Sequence, residues 1–223
     1  MGEAIGAMLA SAVGIAISPL PLIAIVLMLA TPRGRGNGIA FTAGWLSALA
    51  IVVTVVTLAG SGLTTTGKTT PSWAYWLKLV LGVLFALMAV KQWQGRPRAG
   101  HENAAPKWMQ TIDQFTPGKA AGLAAVLVAA NPKNLVLAIG GAAAIATTNT
   151  FTGAKTVAAV LMVLIGSLCT LIPLGVYLLG GPRAGQVLTG WKTWMAAHNN
   201  AIMTTVLLVL AAKYIGDALT GLA

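Results

Sequence analysis

The stretch Asn131-Pro132-Lys133-Asn134 sits in the middle of a long apolar run, residues 118–147. A run of that length can cross a bilayer, which takes about 20 apolar residues. Position 133 lies midway between Lys119 and Thr147, so the lysine is expected near the bilayer centre. Insertion there costs about 2.5–3.5 kcal/mol, and the side chain cannot easily reach either interface. Pro132 removes a backbone donor and disturbs the turn before it. A helix that only holds a membrane protein together has no use for a break, two amides and a charge at its midpoint.

The rest of the chain fits this solvent. Of 223 residues 57% are hydrophobic and 8% charged, with a mean hydropathy of +0.83. Soluble domains carry about 25% charged residues. Long apolar runs without period-2 alternation predict an all-α polytopic membrane protein with about six spans and no sizeable soluble domain. The net charge of +10 sits in short loops between spans, so it reads as topogenic and lipid-facing, with no nucleic-acid partner. The single cysteine, Cys169, excludes an intrachain disulfide and a CxxC pair. The N-terminus has no basic region of a cleavable signal peptide.

In order, span 1 is expected over 5–30, interrupted by Ser18-Pro19-Leu20-Pro21; two prolines two apart imply two half-helices. Span 2 covers 38–61 and span 3 covers 73–93, with Trp73, Tyr75 and Trp76 at one end and Trp93 at the other, as in aromatic belts. A polar stretch, 94–117, holds Arg96, Arg98, His101, Glu102, Lys107 and Asp113. Within it Trp108, Ile112 and Phe115 recur at helical spacing, which predicts a short interfacial helix over 106–115. His101 reads as a solvated loop residue. Span 4 is the broken 118–147. Span 5, 154–179, is expected to kink at Pro173. A second interfacial helix is expected over 183–198, with Val187, Trp191, Trp194 and Met195 on one face. Span 6, 200–219, carries Lys213 and Asp217 one turn apart.

Basic residues orient the spans. Nine of the fourteen (Arg33, Arg35, Lys91, Arg96, Arg98, Lys107, Lys119, Arg183 and Lys192) fall on one side and four (Lys68, Lys78, Lys155 and Lys213) on the other, with Lys133 between. That places the first set in the cytoplasm and both termini outside. Spans 1–3 (1–95) and 4–6 (118–223), joined by a cytoplasmic linker (96–117), follow one plan: each opens with a span broken at mid-membrane. Three spans per half force the halves to enter from opposite sides, as two inverted three-helix repeats. Paired broken segments of this kind point to a transporter's binding site.

The stretch from Pro106-Lys107-Trp108-Met109 through Ile112-Asp113, Phe115-Thr116-Pro117-Gly118-Lys119 and Gly122 to Asn131-Pro132-Lys133-Asn134-Leu135 resembles the GAP family of actinobacterial membrane proteins, also called sulfolipid-1-addressing-protein-like. Ser18-Pro19-Leu20-Pro21-Leu22-Ile23, Asn199-Asn200-Ala201-Ile202-Met203 and Lys213-Tyr214-Ile215-Gly216-Asp217 match as well, so the resemblance covers essentially the whole chain. It implies membership of the LysE exporter superfamily with its three-plus-three organisation. It also implies a bacterial plasma-membrane transporter, glycolipid delivery to the mycobacterial cell surface being the family's best-known association. Cys169 alone argues against the thiol-reducing branch, whose electron relay needs two thiols.

These features nominate a substrate site made of Lys133, Asn131, Pro132, Asn134, Ser18, Pro19 and Pro21, taking an anionic group such as sulfate, phosphate or carboxylate. Lys133 could also carry a coupling proton. Asp217 is expected to pair either with its turn-mate Lys213, structurally, or with Lys133 across the repeats, switching with its proton. Three functions stay open: an exporter of a lipid or amphiphile, which the scarcity of acids in the spans favours; an exporter of amino acids or other small polar solutes; and a non-transporting scaffold for lipid synthesis or export machinery. Membrane lipids are the expected partners, with a homo-oligomer left open. No metal cluster, nucleophile–base pair, cofactor motif or phosphate loop points to an enzyme; Pro32-Arg33-Gly34-Arg35-Gly36 lacks the strand-to-helix setting of one.

Overall fold

The computed structural model describes residues 1–64, 72–95 and 112–222. All regular structure among them is helical. Nine α-helices follow one another: α1 (Gly2–Ala16), α2 (Pro19–Leu29), α3 (Gly34–Thr64), α4 (Ser72–Gln94), α5 (Pro117–Ala129), α6 (Pro132–Ala146), α7 (Thr152–Gly166), α8 (Leu168–Leu179) and α9 (Ala184–Leu222). Of the expected interfacial helix over 106–115, only a 3-10 turn, Ile112–Gln114, and Phe115 are described. His101, Glu102, Trp108 and the basic residues Lys68, Arg96, Arg98 and Lys107 lie outside the described residues.

α3 and α9, the latter with the turn before it, are each long and apolar enough to cross a membrane alone. Three further crossings arise if each bent pair counts as one: α1–α2, bent by 49°, α5–α6 by 68° and α7–α8 by 58°. The first two bends are the breaks expected at Ser18-Pro19 and Asn131-Pro132. Proline fits at both because it stands at the first position of α2 and of α6, where its missing N–H would have had no intrahelical acceptor.

The third bend departs from expectation. Pro173 lies inside α8, and the chain instead turns at Ser167, the residue between α7 and α8. The cause is a Gly–Ser pair with a side chain inserted into the helix ladder, a standard origin of sharp kinks. The Gly166 carbonyl accepts from the Trp45 indole Nε1 at 3.3 Å and from Cys169 Sγ at 3.5 Å. The Ser167 hydroxyl donates to the Val163 carbonyl at 2.7 Å. A second departure concerns 183–198. It is not a separate interfacial helix but the opening of the 39-residue α9, which passes through His198-Asn199-Asn200 without interruption. Asn200 there faces the end of α4. It accepts from Gln92 at 2.8 Å and donates to the Gly95 carbonyl at 3.1 Å, so its polarity is satisfied without breaking the helix.

The chain forms two compact units. The larger contains α1–α3, α5–α8 and the first part of α9. In it α3 runs parallel to α5–α6: Gly36 adjoins Pro117, Gly44 adjoins Ala121 and Gly60 adjoins Ala146. α1 runs antiparallel to α6, with Ser11 against Gly141 and Ser18 bonded to Asn134. α1 is parallel to α7, with Ile15 against Gly166. The smaller unit pairs α4 with α9 from Ala197 onward. Those two are antiparallel: Gly82 meets Ile215, Phe85 stacks on Tyr214 at 5.7 Å between centroids, and Gln92 meets Asn200.

Small residues set these approaches, as expected where lipid tails give helices no hydrophobic reason to associate. A Cβ on Gly44 would stand 2.5 Å from the Ala121 carbonyl oxygen and 2.8 Å from its Cα, whereas one on Gly122 would meet nothing within 4 Å. Gly44→Ala should therefore lower stability by about 1–3 kcal/mol through overpacking. Gly122→Ala should be neutral or gain up to about 1 kcal/mol from helix propensity. Thermal unfolding of the two variants in one detergent checks the difference.

Candidate functional site

Both proline breaks have the same local construction: a polar residue in extended conformation, then a proline opening the next helix. Ser18 (φ −77°, ψ 115°) precedes Pro19, and Asn131 (φ −82°, ψ 109°) precedes Pro132. Their side chains are used differently. Asn131 caps its own helix, accepting the Lys133 backbone N–H at 3.2 Å. Ser18 makes no cap; its hydroxyl reaches across to the other break.

There it joins a directed chain of hydrogen bonds. Lys133 Nζ donates to Ser18 Oγ at 2.9 Å, and Ser18 Oγ donates to Asn134 Oδ1 at 2.7 Å. Asn134 Nδ2 donates to the Leu127 carbonyl at 3.3 Å, in the last turn of α5. One relay thus ties the α1–α2 junction to α6 and α6 back to α5. Lys133 and Asn134 are each 1% exposed and Ser18 2%. Such a network is costly to disturb, because each group left behind would be desolvated and unpaired.

The third bend adjoins the same place. Cys169, in the first turn of α8, is buried and lies in the neighbourhood of Lys133. Nothing in the sequence announced this neighbour. A Gly166-Ser167 pair was the only available signal, and Pro173, the stronger helix breaker, drew attention away from it.

Of the nominated residues, Lys133, Asn134 and Ser18 come together directly, and Pro19 and Pro21 are buried at the start of α2. Asn131 is half-buried and acts as a cap, while Pro132 is exposed. Asp217 takes Lys213 as its partner at 2.9 Å within the smaller unit, with the two side chains 31% and 42% exposed for Lys213 and Asp217 respectively. Lys213 also lies over the Tyr214 ring, 5.4 Å from its centroid. Among the described residues no group of His, Cys, Asp or Glu could hold a metal ion.

Ser18→Ala should cost about 1–3 kcal/mol or more, since it strips a bond from both Lys133 and Asn134. Lys213→Met should change stability by no more than about 0.5 kcal/mol, as a partly exposed i,i+4 pair does. Denaturation of both variants in lipid–detergent micelles reads the contrast.

No curated protein and no solved structure matches this chain. A family model does: the one described as Sap, sulfolipid-1-addressing protein, matches residues 8–220. The match runs through both proline breaks and the Lys133 cluster, and the chain belongs to that family.

Proposed function

We propose that this protein is a secondary transporter that moves a lipid, glycolipid or other amphiphile across or out of the plasma membrane, with the Lys133–Ser18–Asn134 cluster as its central site. The observation that carries this reading is the Lys133–Ser18 bond, which brings two helix breaks 115 residues apart onto one buried ammonium. The half-helices α2 and α6 open beside that ammonium, and helix N-termini favour negative charge. The fitting cargo is an amphiphile with a sulfate, phosphate or carboxylate. The family's name refers to a sulfolipid, and a sulfate ester is such a group.

The spans are read as α1–α2, α3, α4, α5–α6, α7–α8 and α9. Strict alternation then makes span 1 parallel to span 5 and span 2 parallel to span 4. It opposes span 1 to span 4 and span 3 to span 6. The helix directions within the two units agree with all four relations. The third spans of both halves pair with one another in the smaller unit, which supports two inverted repeats of the LysE type. Both termini are read as extracytoplasmic from the basic loops. The chemistry is transport, not catalysis.

The test is flux of a labelled anionic amphiphile in proteoliposomes, with and without a pH gradient. Lys133→Met should lower flux by at least about tenfold, the scale of a lost bond to a charged group. Asp217→Asn should leave flux near the wild-type rate. Wild-type flux from a folded Lys133→Met variant overturns this reading, as does wild-type protein that moves only small polar solutes, or nothing.

A further inference from the structure

Four buried side-chain polar atoms among the described residues have no hydrogen-bond partner, and three of them lie on α3: Asn37 Oδ1, Thr42 Oγ1 and Thr57 Oγ1. For the two threonines this is unusual. A hydroxyl on a helix ordinarily satisfies itself by donating to the carbonyl four residues back. Thr156, Ser167, Thr193 and Thr220 do so here, at 2.7–3.0 Å. Thr42 and Thr57 do not, although they are only 4% and 9% exposed.

Their positions are related to the central site. Fifteen residues separate them, about 22 Å along the axis and four turns plus about 60° around it, so both lie on one side of α3. That side faces inward. Gly38, one turn before Thr42, meets Leu29 and Leu174; Trp45 and Leu49, between the two threonines, pack on Gly166 at the α7–α8 bend. Gly60, one turn after Thr57, meets Ala146. One unpartnered hydroxyl therefore stands on either side of the level of Lys133, towards opposite ends of the larger unit. Both can donate and accept, as a ligand hydroxyl also can.

We propose that the inner face of α3 carries a polar track on both sides of the Lys133 cluster, in which Thr42 and Thr57 bind hydroxyl groups, those of water or of a polar lipid headgroup. The occupancy of the track stands on the unpartnered hydroxyls. Its role as a route for cargo rests on the transport reading above.

The experiment replaces Cys169 by alanine and introduces single cysteines by Thr42→Cys, Thr57→Cys, Val53→Cys and Ile51→Cys in the full chain in bilayers. Each thiol is then titrated with aqueous silver ion, which follows water and not lipid. Thr42→Cys and Thr57→Cys should react at least about tenfold faster than buried Val53→Cys and outward-facing Ile51→Cys, as polar sites large enough for water do. Silence at both threonine positions, with Thr42→Val and Thr57→Val raising the unfolding temperature, overturns the proposal, because the hydroxyls would then be unpaired and merely costly. The source of the occupant separates by lipid. Equal reactivity in native membranes and in synthetic bilayers lacking carbohydrate headgroups marks water, whereas blockage confined to native membranes marks a headgroup. None of these readouts requires flux, so a failure of Lys133 as a transport residue would leave them intact.

Discussion

The structure of the larger unit depends on where one ammonium can be accommodated. An ion taken out of water costs several kcal/mol even after its surroundings relax, so it persists only where hydrogen-bonding groups are already in place. Lys133 meets that condition through Ser18, and Ser18 is available because it stands at a break. Had α1 and α2 formed one continuous helix, the Ser18 hydroxyl would have been free to bond its own helix, as the mid-helix Thr156 does. The break, the extended backbone at Ser18 and the proline after it turn the hydroxyl from a local partner into a distant one. The same logic explains Asn134. Its Nδ2 donates to the Leu127 carbonyl, in the last turn of α5, across the break at Pro132.

Convergence of the breaks also demands that backbones come close, and the glycines allow it. Gly141 of α6 is occupied on its open side by Ser11 of α1 and by Met162 of α7, and Gly166 by Leu49 and Ile15. Those contacts hold α1, α6 and α7 against one another, which in turn keeps Ser18, Lys133 and Cys169 in one region. The Trp45 indole adds a specific polar lock. It bonds the Gly166 carbonyl where the α7–α8 bend would otherwise leave it to the weak Cys169 thiol alone.

Much of this was legible in the residues. The helical class and the two proline breaks follow from hydropathy length and from what proline does to a helix, which are local facts. Pro173 shows the limit of local reasoning. Proline was expected to bend span 5, yet the bend lies at Ser167, because a side chain from α3 stabilises it there and only tertiary contact reveals that. The run 183–198 misled for a related reason. It was expected to end before a separate span began at 200, but Asn200 bonds Gln92 and the Gly95 carbonyl and the helix continues. For Asp217, the turn-mate Lys213 needs only one turn of helix to reach it, and the two are bonded at 2.9 Å.

On the transport reading, the relay from Lys133 to Leu127 has a consequence for how cargo would bind. The ammonium is already coordinated by a neutral hydroxyl, so an arriving anion exchanges partners and does not fill an empty shell. An anion adds the attraction of opposite charges, strong in a low-dielectric site, to the hydrogen bond it makes with the ammonium, so a sulfate or phosphate can displace Ser18. When the anion leaves, Ser18 closes the shell again, and the charge is never stranded. A site built in this way limits its own affinity, because part of the gain from the anion is offset by the bond to Ser18 that is lost. Moderate affinity is what a transporter needs at the midpoint of its path, where cargo has to arrive from one side and depart on the other. A lysine with no internal partner would hold an anion more tightly and release it more slowly. On that reading the serine at the first break shapes the return of the site to rest as much as it shapes the resting state itself.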